Sequence, residues 1–194
     1  MESEAEFVVR YLEFVCIRSC KFTNDRPLVE KIVCTVFSDV FYMAQKLQNI
    51  CLPVAIDIIA DAVGSSLTQK RGCEQGDELF ITDKPCLNIV KAINRLDSPE
   101  RIILVLFHID GMDVKRLAEM FAESVSRMEF LLSRARRQFI ENLCRFMPPD
   151  SVLFAADIDK WLGLLNAYFK KDDTDRMKKA IFARLSGREK PDNE

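Results

Sequence analysis

The sequence predicts an all-α fold with two small helical modules, a linker between them and a C-terminal helical extension. Three observations predict this class. Apolar residues recur at the three- and four-residue spacing of helices along nearly the whole chain. Residues that cap helices stand where several of these stripes begin. No run of alternating polar and apolar residues is long enough to make a convincing sheet.

The first module is predicted at residues 1–63 and contains three helices. An apolar stripe over residues 7–16 marks the first helix. Asp25 is a candidate N-cap for the second, which continues to about Leu47. The third helix opens at Pro53 and is expected to end at Gly64, because glycine commonly terminates helices.

The remaining boundaries follow from composition. Residues 64–86 are predicted to be a linker, because the middle of this segment has almost no apolar side chains. The short apolar patch 79–81 within it is expected to dock on the protein. A second helical module follows at residues 87–147. A C-terminal extension of two helices is predicted at 148–186, and the polar tail 187–194 is predicted to be disordered.

The second module has the pattern of a helix-turn-helix. Asp113 can cap a short helix, a break follows at residues 122–124, and a long arginine-rich helix comes next. In such a unit the second helix lies in the major groove of DNA. Between Arg127 and Arg145 there are five arginines against two glutamates, a modest basic surplus for phosphate contacts.

A series of short motifs here resembles a known family. In chain order they are Ala92-Ile93-Asn94-Arg95-Leu96, Pro99-Glu100-Arg101, Leu104-Val105-Leu106, Asp110-Gly111-Met112, Leu117-Ala118-Glu119, Ser124-Val125-Ser126 and Leu132-Ser133-Arg134-Ala135-Arg136-Arg137. The series looks like region 4 of bacterial RNA polymerase sigma factors, especially the extracytoplasmic-function group. The first module resembles region 2 of that group in layout, in a divergent form.

The resemblance implies a transcription initiation protein that binds core RNA polymerase and promoter DNA. Polymerase would bind the second helix of the first module, where Glu30 is the acidic residue near the start. In the helix-turn-helix, Arg127 would contact a base. The side chains that would contact phosphates are Arg134, Arg136 and Arg137. An anti-sigma factor is a further candidate partner.

Two departures from the family open alternatives. Residues 49–69 contain Asp57 and Asp61 but no lysine, arginine or aromatic residue, so this helix is expected to repel a phosphate backbone. Phe130 and Leu131, on the recognition helix, cannot donate hydrogen bonds to bases and are candidate protein contacts, with the C-terminal extension as one candidate cover. The chain could therefore be a sigma mimic that binds an anti-sigma factor or polymerase without promoter recognition. A helix-turn-helix regulator acting alone or as a dimer is a third possibility.

Other function classes have little support. Gly totals 6, no glycine-rich phosphate loop is present, and no nucleophile stands with a base, so an enzyme is not expected and no cofactor is implied. The cysteines are expected to be free thiols rather than metal ligands, because no Cys-x-x-Cys pair occurs. An acidic start without a signal peptide predicts a cytoplasmic location. No apolar run is long enough for a membrane helix.

Overall fold

A computed structural model describes residues 4–46, 51–71, 78–147, 157–171 and 174–186. These residues form nine α-helices and no β-strand beyond one isolated bridge, which confirms the all-α prediction. In chain order the helices are α1 (Glu4–Ser19), α2 (Arg26–Lys46), α3 (Leu52–Arg71), α4 (Lys84–Asn94), α5 (Ser98–His108), α6 (Val114–Phe121), α7 (Val125–Leu143), α8 (Ile158–Lys171) and α9 (Thr174–Leu185).

The chain divides into two compact units. The first unit joins Met1–Phe80 to Asp172–Glu194, so it contains α1, α2, α3 and α9. The second unit is Ile81–Lys171 and contains α4 to α8. The two helices of the predicted extension 148–186 therefore belong to different units. Residues 148–156 and the predicted tail 187–194 lie outside the described residues.

The first unit is a helical bundle closed by an apolar core. Helix α2 packs on both α1 and α3, and α9 packs on α2 and α1. Helix α9 buries Met177 and Ile181, and the Met177 Sδ lies 3.6 Å from the Cys16 Sγ of α1. The predicted N-cap of α2 is confirmed, because the Asp25 carboxylate accepts a hydrogen bond from the Leu28 N–H.

The apolar patch near the end of the predicted linker docks on the turn between α1 and α2. Leu79 forms an antiparallel bridge with Asp25. The Phe80 N–H donates to the Asn24 carbonyl at 2.8 Å, and the Phe80 ring is fully buried. The expectation that this patch packs against the protein is confirmed for these residues.

The predicted helix end at Gly64 is wrong. Helix α3 continues to Arg71, so the predicted linker begins inside a helix. Gly64 is buried, and a Cβ atom there would lie 2.2 Å from the Phe22 ring. The glycine allows the ring of Phe22 to approach the α3 backbone, which is a packing role rather than a terminating one.

The second unit is built around α5. Its residues 100–106 are all buried, and it packs on α6, α7 and α8. Gly111 follows in the break between α5 and α6 with φ +68°, a left-handed conformation that glycine tolerates. The Asp113 carboxylate caps α6 by accepting from the Arg116 N–H at 2.8 Å, as predicted.

Helix α8 completes the second unit by packing on α4 and α5. Its apolar face buries Leu162, Leu165 and Phe169. Two polar contacts fix it in place. The Asn166 Nδ2 donates to the Ile109 carbonyl at 3.2 Å, at the end of α5. The Tyr168 hydroxyl accepts from the Thr82 N–H at 3.1 Å. Among the described helices of the whole chain, none is long and apolar enough to cross a membrane.

Candidate nucleic-acid interface

Helices α6 and α7 form the predicted helix-turn-helix. Between them, Ala122 takes the left-handed conformation with φ 53°, and its N–H and that of Glu123 bond back to the last turn of α6. Ser124 then caps α7, because its hydroxyl accepts from the Arg127 N–H at 3.1 Å. The turn is short, because only residues 122–124 separate α6 from α7.

The outer face of α7 is defined by its buried stripe. Helix α7 buries a set of residues at three- and four-residue spacing, namely Met128, Leu132, Ala135, Phe139 and Leu143. Phe130 lies on the opposite side of the helix at 55% exposure. Arg127 and Arg137 are exposed beside it, whereas Leu131 is half-buried at the edge of this face.

Arg127 and Phe130 are in contact with each other. The Arg127 guanidinium lies over the Phe130 ring, 5.3 Å from its centroid. The two residues are three positions apart and therefore share one side of the helix. The pair stands in the first turns of α7, the part of a recognition helix that contacts base edges in other helix-turn-helix proteins.

Arg134 is held by an internal partner. Its guanidinium forms an ion pair with the carboxylate of Glu100, which is only 1% exposed at the start of α5. A buried carboxylate needs such a partner, because an unpaired charge away from water is strongly unfavourable. The structure thus gives Arg134 a role in joining α7 to α5.

Arg136 is also held within the unit. Its Nε donates to the His108 Nε2 at 3.1 Å, and its guanidinium lies 5.1 Å from the Phe107 ring centroid. His108 Nδ1 in turn donates to the Asp159 carboxylate of α8 at 2.8 Å. Because Nε2 accepts a hydrogen bond, the ring is neutral in this arrangement. Burial, together with the charge of Arg136, lowers the pKa of His108 despite the opposing effect of Asp159.

Arg137 differs from these two arginines. It is 73% exposed and lies 4.0 Å from the Glu141 carboxylate, a surface pair in adjacent turns of α7. Such exposed pairs contribute little and are readily exchanged for other partners. Of the four arginines predicted to contact DNA, Arg127 and Arg137 are therefore the exposed ones.

Two basic residues of α6 were missed from the sequence. Lys115 and Arg116 are exposed in the first turn of α6. In a helix-turn-helix the first helix crosses the DNA backbone, which makes this turn a candidate phosphate contact. The signal was available, because the two residues stand two and three positions after the Asp113 cap.

The acidic residues of the third helix have internal partners. Arg18 and Asp57 are both buried, and the Arg18 Nε lies 2.6 Å from the Asp57 Oδ1. Asp61 pairs with Arg18 at 2.5 Å and with Lys21 at 2.6 Å. Burial alone would raise the pKa of Asp61, but hydrogen bonds and charges from Lys21 and Arg18 hold it below its ordinary value. The expected repulsion of phosphate by these carboxylates is therefore offset by the basic end of α1.

The hypothesis that the extension covers Phe130 and Leu131 is wrong for the described helices. Phe130 is exposed, and α8 packs on α4 and α5. Helix α9 belongs to the first unit. Glu30, the predicted polymerase contact, lies half-buried near the start of α2.

Comparison with protein families gives one match, which coincides with α4 to α7. Residues 86–139 match the family model described as Sigma-70, region 4. This part of the chain is therefore similar to region 4 of sigma-70 factors. The match ends within α7, so it includes the turn between α6 and α7 and most of α7. Comparisons with curated proteins and with solved structures give no match.

The region 4 match includes some helices of the chain and leaves others out. The match includes α6, the turn and the exposed pair Arg127 and Phe130, but none of α1, α2 or α3. Helix α8 follows the region 4 match and packs on its first two helices. The part of the chain that resembles region 4 therefore packs against an additional helix, α8.

Proposed function

We propose that the chain acts as a sigma factor of the extracytoplasmic-function type, which binds core RNA polymerase and sets its region 4 helix-turn-helix on promoter DNA. The observation that carries the proposal is the outer face of α7 within a region 4 domain. That face presents Arg127 and Arg137 outward, while the turn before it is fixed by the Ser124 cap. The grouping and the polymerase contact rest on the sequence resemblance, with the first unit serving as region 2 and Glu30 as a candidate polymerase contact.

The four arginines have different proposed roles. Arg127 contacts base edges, since it stands in the first turn of the recognition helix. Arg137, with Lys115 and Arg116 of α6, contacts phosphates. Arg134 and Arg136 act chiefly by positioning α7, because Glu100 and His108 hold their guanidinium groups.

The proposal is tested by binding and transcription in one preparation. Purified chain is mixed with core RNA polymerase, and the complex is separated by size. The complex then transcribes fragmented genomic DNA from the source organism, and the 5′ ends of the transcripts are sequenced. A shared upstream sequence in front of the new start sites is the expected result. Binding to polymerase without new start sites contradicts promoter recognition, and no binding contradicts the sigma assignment.

The phosphate contacts give a quantitative prediction. Substituting Arg137→Ala or Lys115→Ala should reduce the slope of log K for DNA binding against log salt by about one each. Lys179→Ala, at an exposed position of α9 in the first unit, is the matched control and should leave the slope unchanged. If all three variants have the same slope, Arg137 and Lys115 do not contact DNA phosphates.

A second candidate function is a sigma-like interaction protein without promoter recognition. The observation in its favour is a set of exposed apolar side chains in the first unit, on α1, α2 and α3, namely Val9, Tyr42 and Ile58. The transcription experiment separates the two, because an interaction protein binds polymerase or an anti-sigma factor and yields no start sites. A mobility shift without polymerase isolates the third possibility, a regulator that acts alone or as a dimer.

A further inference from the structure

Phe130 occupies the centre of a face that is otherwise polar. It lies opposite the buried stripe of α7, so its side chain points away from the unit's core. Its neighbours one turn away, Ser126 and Ser133, are exposed and short. The phenyl ring therefore stands above the surrounding surface, and its exposed area is unfavourable in water.

The ring is not isolated, because Arg127 lies over it. With 5.3 Å between the guanidinium and the ring centroid, the contact restrains both side chains on the outer face of α7. A restrained arginine loses less conformational freedom when it binds a planar acceptor pair. Together they present the hydrogen-bond donors of the Arg127 guanidinium next to the apolar surface of the Phe130 ring.

The major groove offers a matching pair of groups. Guanine presents the acceptors N7 and O6, which arginine contacts with two hydrogen bonds, and thymine presents its C5-methyl group, which apolar side chains contact. Thymine's methyl is the apolar group at the edge of the base pairs in this groove. A phenylalanine on a recognition helix can therefore read sequence without donating a hydrogen bond.

We propose that Arg127 and Phe130 form one reading unit for a guanine next to a thymine, with Arg127 on the guanine edge and Phe130 on the thymine methyl. This inference rests on the proposed function, since it requires α7 to enter the major groove. It assigns the exposed ring of Phe130 to DNA rather than to a protein partner. It also explains why an aromatic residue stands at the centre of the face.

The first step of the test finds the DNA sequence. A pool of duplexes with a randomised central region is enriched on the full chain bound to core RNA polymerase. Absence of any enriched sequence contradicts the proposed function and the reading unit together. An enriched sequence that contains no adjacent guanine and thymine contradicts the reading unit alone.

The second step removes single groups from the enriched duplex. Thymines are replaced one at a time by deoxyuridine, which lacks only the methyl group. One replacement should weaken binding about fourfold, the value of one buried methyl group. Phe130→Ala should bind the two duplexes equally, whereas Leu131→Ala, at the half-buried edge, should keep the preference. A methyl preference that survives Phe130→Ala overturns the proposal.

The arginine is tested in the same way. Replacing the adjacent guanine by 7-deazaguanine removes the N7 acceptor and should weaken binding about fivefold. Arg127→Ala should be insensitive to that replacement. If Phe130→Ala instead loses polymerase binding and retains the thymine preference, the ring is a protein contact and the reading unit is wrong. Because Phe130 is exposed, its substitution leaves the core intact.

Discussion

At the scale of single residues, the backbone of the second unit contains two left-handed positions that are occupied differently. Gly111 has φ +68° after α5, where glycine adopts this conformation without strain. Ala122 has φ 53° in the turn of the helix-turn-helix, where its Cβ atom is unfavourable. The same backbone requirement is thus met once by a suitable residue and once by a strained one.

The two positions give opposite predictions. Ala122→Gly should raise the free energy of unfolding by about 1 kcal/mol, because the strain of the Cβ atom exceeds the added flexibility of the unfolded chain. Gly111→Ala should lower it by about 1 kcal/mol, since no atom lies within 4 Å of the added methyl and the effect is one of backbone conformation. Urea denaturation followed by the fluorescence of Trp161 measures both. A destabilised Ala122→Gly variant would show that the turn is not strained.

His108 makes the stability of the second unit depend on pH. Its pKa is lowered in the folded state, by burial and by the charge of Arg136, with Asp159 opposing. Protonation therefore favours the unfolded chain, so the stabilising contribution is complete above the ordinary pKa of 6.5 and is lost as the pH falls through the folded-state value. We expect the urea midpoint to fall on acidification from pH 7 towards pH 5.

The control for this prediction replaces the titrating ring. His108→Asn keeps an amide donor for Asp159 but does not titrate in this range. Its urea midpoint, followed by Trp161 on the same helix as Asp159, should stay level between pH 7 and pH 5. An unchanged pH dependence in the variant would place the titrating group elsewhere.

At the scale of helices, the packing of α3 against the end of α1 depends on one glycine. Gly64→Ala improves the helical propensity of α3, but its Cβ atom would meet the Phe22 ring at 2.2 Å. Because the ring edge lies against the helix, we expect a net loss of about 1–3 kcal/mol in the free energy of unfolding. Thermal unfolding followed by circular dichroism measures it.

The same substitution in a Phe22→Ala variant separates the packing of the ring from the helix propensity of α3. In Phe22→Ala the obstructing ring is absent, so adding Gly64→Ala should stabilise the chain by about 1 kcal/mol. Ser66→Ala, at an exposed position on the same helix, serves as the neutral control. The same sign for Gly64→Ala in both backgrounds would contradict the close approach of the ring.

The helices could be predicted from the sequence because their signals are local. The caps at Asp25 and Asp113 act within a few residues of themselves, and each is where the pattern placed it. Gly64 was misread because its role depends on Phe22, which is far away in the chain. A single sequence does not distinguish a glycine that ends a helix from a glycine that makes room for an aromatic ring.

The candidate site was predictable in position but not in detail. The series of region 4 motifs located the helix-turn-helix and the exposed residues of α7. A sequence does not show which arginines turn inward, since Glu100 and His108 reach Arg134 and Arg136 from another helix. The pairing of Asp57 with Arg18 is equally non-local, so the charge of α3 was overestimated.

At the scale of the whole molecule, the last two helices of the chain belong to different units, α8 to the second and α9 to the first. Helix α8 adds a packed face to the region 4 helices, and α9 adds one to α1 and α2. Each of these faces is buried, with Leu162 and Phe169 on α8 and Ile181 on α9. The two helices are therefore structural parts of the units rather than an appendage.

Two truncations test this assignment. A chain ending at residue 171 lacks α9, so hydrogen exchange in α2 should rise while the urea midpoint seen by Trp161 stays the same. A chain ending at residue 149 also lacks α8 and should lose most of the stability of both units, because several large buried side chains are removed from each core.

We expect no gain in DNA affinity from the chain that ends at residue 171, since Phe130 is already exposed. A gain would mean that α9 shields the recognition helix.

The discontinuous first unit has a consequence for biosynthesis. A ribosome that has made Phe80 must add about a hundred further residues before α9 has been produced, which takes roughly 5–20 s at ordinary elongation rates. During that interval the faces of α1 and α2 that receive Met177 and Ile181 have no α9 to cover them. The nascent chain therefore completes the second unit, α4 to α8, before the first unit, and α1 and α2 are the helices that a chaperone would have to shield.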